Sequence, residues 1–286
     1  MGKQRVLITG ASRGIGLAIA QELLKQGYEV LGTSRNPEND PLRKPTEPSQ
    51  ETPSVGGELG TLLPFPMLKL DITNKESIEL CATQAGEIDV LINNAGISQM
   101  GAVEELPVEK IRELFETNLF GMIELTKAFL PQMRQRRKGF IINIGSLAGK
   151  FAVPFKSSYV ASKFALAGFS WSLRNEVMPF GIKVTVIEPT DIHTTIEPEL
   201  FIKVGSEYAE RLGKVKKARA ASMSSALGPG VVAAKVSEII QQYNNNSKQP
   251  APFYAVGKNG SLLTTVKRFV PDRMLEKMIR KSYGLE

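Results

Sequence analysis

Tyr159 and Lys163 stand four residues apart in the stretch YVASK, thirteen residues after Ser146 in NIGS. On a helix, that spacing puts the phenol and the ammonium on one face, a turn apart. A free tyrosine loses its proton at about pH 10, too high for ready exchange near neutrality. A nearby cation favours the tyrosinate and lowers that value. The pair is therefore expected to act as a general acid and the cation that tunes it. A chance surface pair has the same spacing, and only the rest of the chain separates the two readings.

A second chemical element lies near the start. TGASRGIG (9–16) follows the apolar run RVLIT and opens the helical pattern GIGLAIAQELLKQG. Gly10, Gly14 and Gly16 let the backbone turn tightly and approach a phosphate. Ser12, Arg13 and Ile15 complete the turn, and the helix N-terminus offers free N–H groups and the positive end of its dipole. The next strand, EVLGTSR, ends in Thr33-Ser34-Arg35, about 20 residues beyond the glycines. An acid there would bond the ribose hydroxyls of NAD, whereas a basic residue accommodates the phosphate of NADP. Arg35, with Arg13 in reach of the same phosphate and no carboxylate present, points to NADP(H), preferred over NAD(H).

These motifs need elements to hold them. RVLIT, EVLGTSR, PMLKLDI, DVLINNAG, FIINIGS, KVTVIEP and FYAVG read as strands, with helices at 74–85, 107–135, 157–177 and 229–243 between them. In the first helix Ile15, Ile19 and Leu23 share a face, and Gly27 stops it. The alternation predicts an α/β fold: a Rossmann-type doubly wound parallel sheet of about seven strands with helices on both faces, in one domain spanning 1–286. Seven prolines between Asn36 and Pro66 rule out a long helix there and predict a surface loop. A lid or partner-docking segment beside the cofactor's adenosine end is the sharper alternative. A basic helical tail is expected over 260–286, with Val266, Phe269, Val270, Leu275, Met278 and Ile279 facing inward. Its cations, Lys267, Arg268, Arg273, Lys277, Arg280 and Lys281, would face solvent, and a membrane-surface helix is the less favoured reading. The RQRRK cluster (134–138) suits a helix C-terminus.

With the glycine turn, NNAG (93–96) and Tyr159-x-x-x-Lys163 in order, the sequence resembles the short-chain dehydrogenase/reductase family over residues 5–257. Its layout looks like the branch with 17β-hydroxysteroid and retinol dehydrogenases. The resemblance implies that Asp71, with Ile72, meets the adenine, and that Asn94, Ala95 and Gly96 form the adenine-side turn. It also implies a tetrad of Asn118, Ser146, Tyr159 and Lys163. Ser146 would hold the substrate oxygen and Tyr159 would supply the proton. Lys163 would also bind the nicotinamide ribose, and Asn118 would position a water that relays protons to it. After the sixth strand the family's Pro-Gly-x-x-x-Thr becomes Pro189-Thr190-Asp191-Ile192-His193-Thr194. Thr194 and the Ile192 backbone are expected at the nicotinamide carboxamide. Thr190, where glycine is usual, raises a question about the local backbone. The resemblance further implies a homodimer or homotetramer packed through the helices near 107–135 and 157–177.

The 286 residues carry a net charge of +7 and a single cysteine, Cys81, so no internal disulfide is possible. No apolar run reaches membrane-spanning length, and the chain opens directly into a strand pattern, so a cytoplasmic protein is expected. No nucleic-acid motif accompanies the charge, and His193, the sole histidine, argues against a metal site. Residues 195–228 are expected to form a lid and substrate wall from Ile196, Leu200, Phe201, Ile202, Met223 and Leu227, joined by Phe151, Val153 and Phe155. An apolar wall of that kind suits a hydrophobic ketone or secondary alcohol, steroid-, retinoid- or lipid-like. A β-ketoacyl reductase, whose acidic carrier protein would meet the basic run Lys214–Arg219, is the enzymatic alternative. A regulatory protein that senses NADP without turnover is the non-enzymatic one, and the intact Tyr–Lys pair counts against it.

Overall fold

The computed structural model describes residues 3–37, 64–194, 197–245 and 249–286. The interior of the proline-rich segment, 38–63, lies outside the described residues, and so does the expectation made for it.

Seven parallel strands form the main sheet: β1 (Arg5–Ile8), β2 (Glu29–Ser34), β3 (Met67–Lys69), β4 (Val90–Asn93), β6 (Gly139–Ile144), β7 (Ile182–Pro189) and β9 (Phe253–Val256). Their spatial order is β3-β2-β1-β4-β6-β7-β9. In β1, Val6 stands beside Val30 on one side and Val90 on the other, so the strand order reverses direction at this point. A crevice opens beyond the strand ends at such a reversal, which is where ligands bind in this architecture. A two-stranded parallel sheet of β5 (Gln99–Gly101) and β8 (Glu199–Phe201) sits apart from it.

Side chains of a strand alternate between faces, and here the two faces bury two separate cores. Val6 and Ile8 pack with Ile19 and Leu23 of α1 (Gly14–Lys25) and with Val236 and Ile240 of α7 (Gly230–Asn245). Leu7 faces the other way, toward Cys81 of α2 (Lys75–Ala85), Leu125 and Phe129 of α4 (Gly121–Gln135), and Leu173 of α5 (Ser157–Val177). The expected helix over 107–135 is present as α3 (Val108–Phe115) and α4, joined through a wider π turn, Glu116–Phe120. Helix α2 is capped by Asn74, whose side chain accepts from the Ser77 N–H at 2.7 Å. No helix among the described residues is long and apolar enough to cross a membrane.

The tail forms α8 (Gly260–Lys267) and α9 (Asp272–Ser282), following α6 (Ala209–Ser224) and α7 in the chain. Its inward face is narrower than expected. Val266, Val270, Leu275 and Ile279 are half-buried, but Phe269 is 82% exposed and Met278 47%. The tail is held instead by Tyr283 and Leu285, which pack on Met100, Leu212 and Val215. Those two residues lie past the amphipathic stripe, so the stripe does not have to be fully covered for the tail to dock.

One buried ion pair ties the loop after β6 to β7. Lys150 Nζ lies 2.6 Å from the fully buried Glu188 carboxylate and 4.4 Å from the centre of the Phe253 ring. Burial pushes the Glu188 pKa up even against its lysine partner. Removing the cation leaves the buried carboxylate without its ion-pair partner and with only the charge of Lys267 to offset it. Lys150→Met should therefore lower the unfolding free energy by about 3 kcal/mol in denaturant titration. Lys138→Met, which breaks an exposed pair with Asp89, should change it by less than about 1 kcal/mol.

Candidate active site

The carboxyl ends of the central strands open onto a cleft of about 1320 Å³. At one end lies the glycine turn, with Gly10, Ser12, Arg13, Gly14 and Ile15 on the wall and Ser34 and Arg35 facing them from the end of β2. Gly10 and Gly14 both adopt left-handed backbone, φ +64° and +58°, which an L side chain rarely takes. A Cβ on Gly10 would also press the Ala95 backbone at 3.3 Å. Gly16 does not face the cleft; it is buried beneath the turn, where a Cβ would overlap the Gly10 carbonyl oxygen. Helix α1 has no acidic residue in its first turn, so nothing internal offsets the positive end of its dipole.

The middle of the cleft is walled by Asp71, Ile72, Asn94, Ala95 and Gly96. Asp71 accepts from the Thr73 N–H and hydroxyl at 3.0 and 2.7 Å, and those bonds hold its carboxyl below its ordinary value. Asn94 is fixed by donating to the carbonyls of Thr9 and Gly10. At the far end stand Ser146, Tyr159, Lys163, Pro189, Ile192 and Thr194. Three hydroxyl oxygens on this lining, of Ser34, Ser98 and Thr190, are buried without a hydrogen-bond partner among the described residues. Buried polar groups are rarely left so. A polar ligand along the cleft would offer partners to Ser34 and Ser98, and a dinucleotide, two sugars joined by a pyrophosphate, is of that kind.

Thr190 causes no backbone strain, since its φ is not among the positive ones. Its side chain nests against Gly257 and Gly260, where a Cβ would meet the Thr190 hydroxyl and methyl respectively. The glycine expected after Pro189 has in effect moved to the facing segment.

Asn118 lies in the π turn, 2% exposed, and does not line the cleft. Its side chain accepts from the Ile97 N–H at 2.8 Å and donates to the Ile97 carbonyl at 3.0 Å. It also donates to the Ser162 hydroxyl at 3.2 Å. A Cβ on Gly96 would lie 3.1 Å from the Asn118 oxygen and 3.9 Å from Lys163 Nζ. Asn118 and Lys163 therefore flank the same glycine. Such π turns often mark functional sites.

Tyr159 and Lys163 share the cleft-facing side of α5, and Lys163 Nζ is 5.8 Å from the Tyr159 ring centre. The expected fall in the phenol pKa is not what the structure gives. Burial raises the Tyr159 pKa, while the Ser146 hydrogen bond and the Arg219 charge pull it partly back. Lys163 is itself buried, which depresses its pKa to about 8, and it donates to the Ile144 carbonyl at 3.0 Å. Desolvation penalises both charged forms, and at this separation it outweighs their attraction.

Several residues of the site were missed from the sequence. Lys156, just before α5, is buried with its Nζ 4.4 Å from the Tyr159 ring centre. Burial, then repulsion from Arg219, brings its pKa down to about 7. Its position three residues before Tyr159 was the available signal. Arg219 of α6 and Tyr283 of the tail also line the cleft. Of the expected substrate wall, Phe151, Val153 and Met223 face the cleft, whereas Leu200, Ile202 and Leu227 are exposed and Phe155 turns to a neighbouring cavity. Ile196 lies outside the described residues. Leu200 and Phe201 were drawn away because they belong to β8.

A family model of short chain dehydrogenases matches residues 4–204. The chain belongs to the short-chain dehydrogenase family. The 3-ketodihydrosphingosine reductase of Bacteroides thetaiotaomicron is 33% identical to this dehydrogenase over 297 residues, covering 100% of both chains. Retinol dehydrogenase 8 of Bos taurus is 39% identical over 206 residues, 70% of this chain and 63% of that protein. Among solved structures, a short-chain dehydrogenase from Streptomyces avermitilis matches with a TM-score of 0.76 at 30% identity, over 100% of both chains. A closed serine dehydrogenase complexed with NADP+ matches at 0.69 and 27%, over 89% of this chain and 95% of that one.

The buried lysines have a consequence for stability. Lys156, at about 7, lies below its ordinary value of 10.5. Between those values the unfolded chain holds a proton that the folded dehydrogenase has released, so the Lys156 contribution to stability grows as pH rises. Lys156→Met removes the group, and its melting-temperature gain over the parent protein should shrink as pH goes from about 7 to about 10. Scanning calorimetry across that range checks it, and a difference independent of pH would contradict the assignment.

Proposed function

We propose that this dehydrogenase transfers a hydride between NADP(H) and a hydrophobic ketone or secondary alcohol, with Tyr159 as the proton donor in reduction. One observation carries the reading: a single cleft joins Ser146, Tyr159 and Lys163 at one end to the α1 N-terminus, Arg13 and Arg35 at the other. β2 runs out in Thr33-Ser34-Arg35, with no acidic residue among the three. The NADP+ complex of the related serine dehydrogenase supports the cofactor choice.

The bound nicotinamide supplies the hydride. The chain's own groups do the rest. The Ser146 hydroxyl donates to the substrate oxygen and fixes it beside the phenol. The Tyr159 O–H bond breaks as the proton passes to that oxygen, giving the alcohol. The raised pKa of the buried phenol keeps this proton in place across the neutral range, which suits reduction. Lys163 holds the nicotinamide ribose and helps return a proton to Tyr159. Asn118, behind Gly96, shapes the relay's entry by fixing Ile97.

The substrate end carries Phe151, Val153, Met223 and Leu263 on its wall, beside Lys156 and Arg219. Full-length similarity to a reductase of a sphingoid ketone favours a lipid-like substrate over a steroid or retinoid. Exposed Phe120 and Trp171, on the π turn and α5, suit pairing of two copies through these helices, as a homodimer or as part of a homotetramer.

Nicotinamide absorbance with a panel of lipid, steroid, retinoid and acyl-thioester carbonyls tests the proposal. NADPH should outperform NADH by about tenfold or more, the worth of one charge-assisted contact, and Arg35→Asp should erase that preference. Tyr159→Phe should lower kcat by about 10²–10⁴ while NADPH still binds. A preference for NADH, or full activity in the Phe variant, would overturn the reading.

A further inference from the structure

A second cavity, of about 1070 Å³, lies between the N-terminal half of α5 and the tail helix α9. It borders the active site: Ala152, Val153 and Ile279 line both this cavity and the active-site cleft, so they form the wall common to the two spaces. Val160 and Phe164 of α5 form its floor, and Leu275 and Ile279 of α9 form its roof.

The interior is apolar and its charges are accounted for. Lys150 is paired with Glu188, and Lys267 donates to the Lys150 carbonyl while lying over the rings of Phe151 and Phe164. Glu104, Asp272, Glu276 and Arg280 are exposed, so their charges sit in solvent. No buried polar atom among the described residues of this lining lacks a partner, apart from the ion-paired Glu188 beneath it. Lys150 and Lys267 are thus already engaged, and the rest of the interior offers mainly apolar contact. Phe164 and Val103 stay 45% and 62% exposed on this lining, apolar surface that a bound chain would cover. The loop that carries Ala152 and Val153 is also held in an uncommon shape where it lines this second cavity. Phe155 has φ +61°, fixed by the bond from the Gly101 N–H to its carbonyl at 2.9 Å. Strain of this kind in a non-glycine residue gathers at ligand-binding walls.

We propose that this cavity takes the aliphatic tail of the substrate, which makes the substrate a long-chain ketone or the matching alcohol. The inference rests on the oxidoreductase reading and names the substrate class of the same site. The carbonyl sits at Ser146 and Tyr159, and the chain leaves past Ala152 and Val153 to lie between α5 and α9. The volume of about 1070 Å³ lies just above the usual range of ligand sites, about 300–1,000 Å³, and is ample for a folded alkyl chain. The tail helices then act as the roof of the substrate site.

Two measurements test it. With NADPH and a homologous series of aliphatic ketones, kcat/KM should rise about three- to fourfold per added methylene until the cavity is filled. Leu275→Trp, which fills the roof, should cut turnover of the long members and leave the short ones near the parent rate. Equal kcat/KM across the series would overturn the tail site and leave the oxidoreductase reading standing. The second measurement needs no turnover: a fluorescent long-chain alcohol is titrated into Tyr159→Phe protein, with and without Leu275→Trp. Binding weakened at least tenfold by the Trp supports the site, and equal binding, or none in either protein, overturns it.

Discussion

The bond from Lys163 Nζ to the Ile144 carbonyl fixes the catalytic helix against the end of β6. Ser146 follows two residues after that carbonyl, so one contact helps set the distance between Ser146 and Tyr159, the groups proposed to hold and to protonate the substrate oxygen. A buried polar ladder repeats the fastening one layer deeper. Asn93 donates to Asn143, Asn143 donates to the Ser170 hydroxyl, and Ser170 donates back to the Leu166 carbonyl on α5. Such networks specify a single packing when their members are satisfied. Sliding α5 by one residue would leave several of these groups unpaired in the core. These buried bonds give the site its rigidity, although Asn93 Oδ1 has no partner among the described residues.

That rigidity comes with dehydration, and dehydration sets the electrostatics. Phenol and ammonium are both pushed toward their neutral forms, Tyr159 upward and Lys163 down to about 8. Lys156 adds a third titratable group against the same ring, at about 7. The simple picture of one cation lowering one phenol gives way to a cluster in which burial dominates. A bound dinucleotide adds its own charge to the cluster, so the tuning of Tyr159 belongs to the loaded protein as a whole. The tail contributes as well, since Tyr283, just past α9, lines the cleft.

The strands were legible because parallel strands buried on both faces read as continuous apolar runs, as FIINI and KVTVIEP do. The glycine turn and the Tyr–Lys pair were legible because their chemistry depends on spacing within one turn or one helix. The missed elements fail both conditions. Strands β5 and β8 are three residues long, and their partners lie a hundred positions apart in the chain. Lys156, Arg219 and Tyr283 come from three elements that share no sequence pattern and meet only through packing. The direction of the Tyr159 shift could not be read from spacing, because it depends on how much water the fold removes. In the tail the period was right, and Leu275 and Ile279 do face inward. Phe269 and Met278 stay exposed, a detail of docking that the helical period does not encode.

The most direct test of this account is the pH profile of kcat/KM for NADPH-dependent ketone reduction. If the buried Tyr159 is the acid, the rate holds level through neutrality and falls only at or above the ordinary phenol range of about 10. A fall centred near 7 would contradict that assignment and give the proton to Lys156 instead.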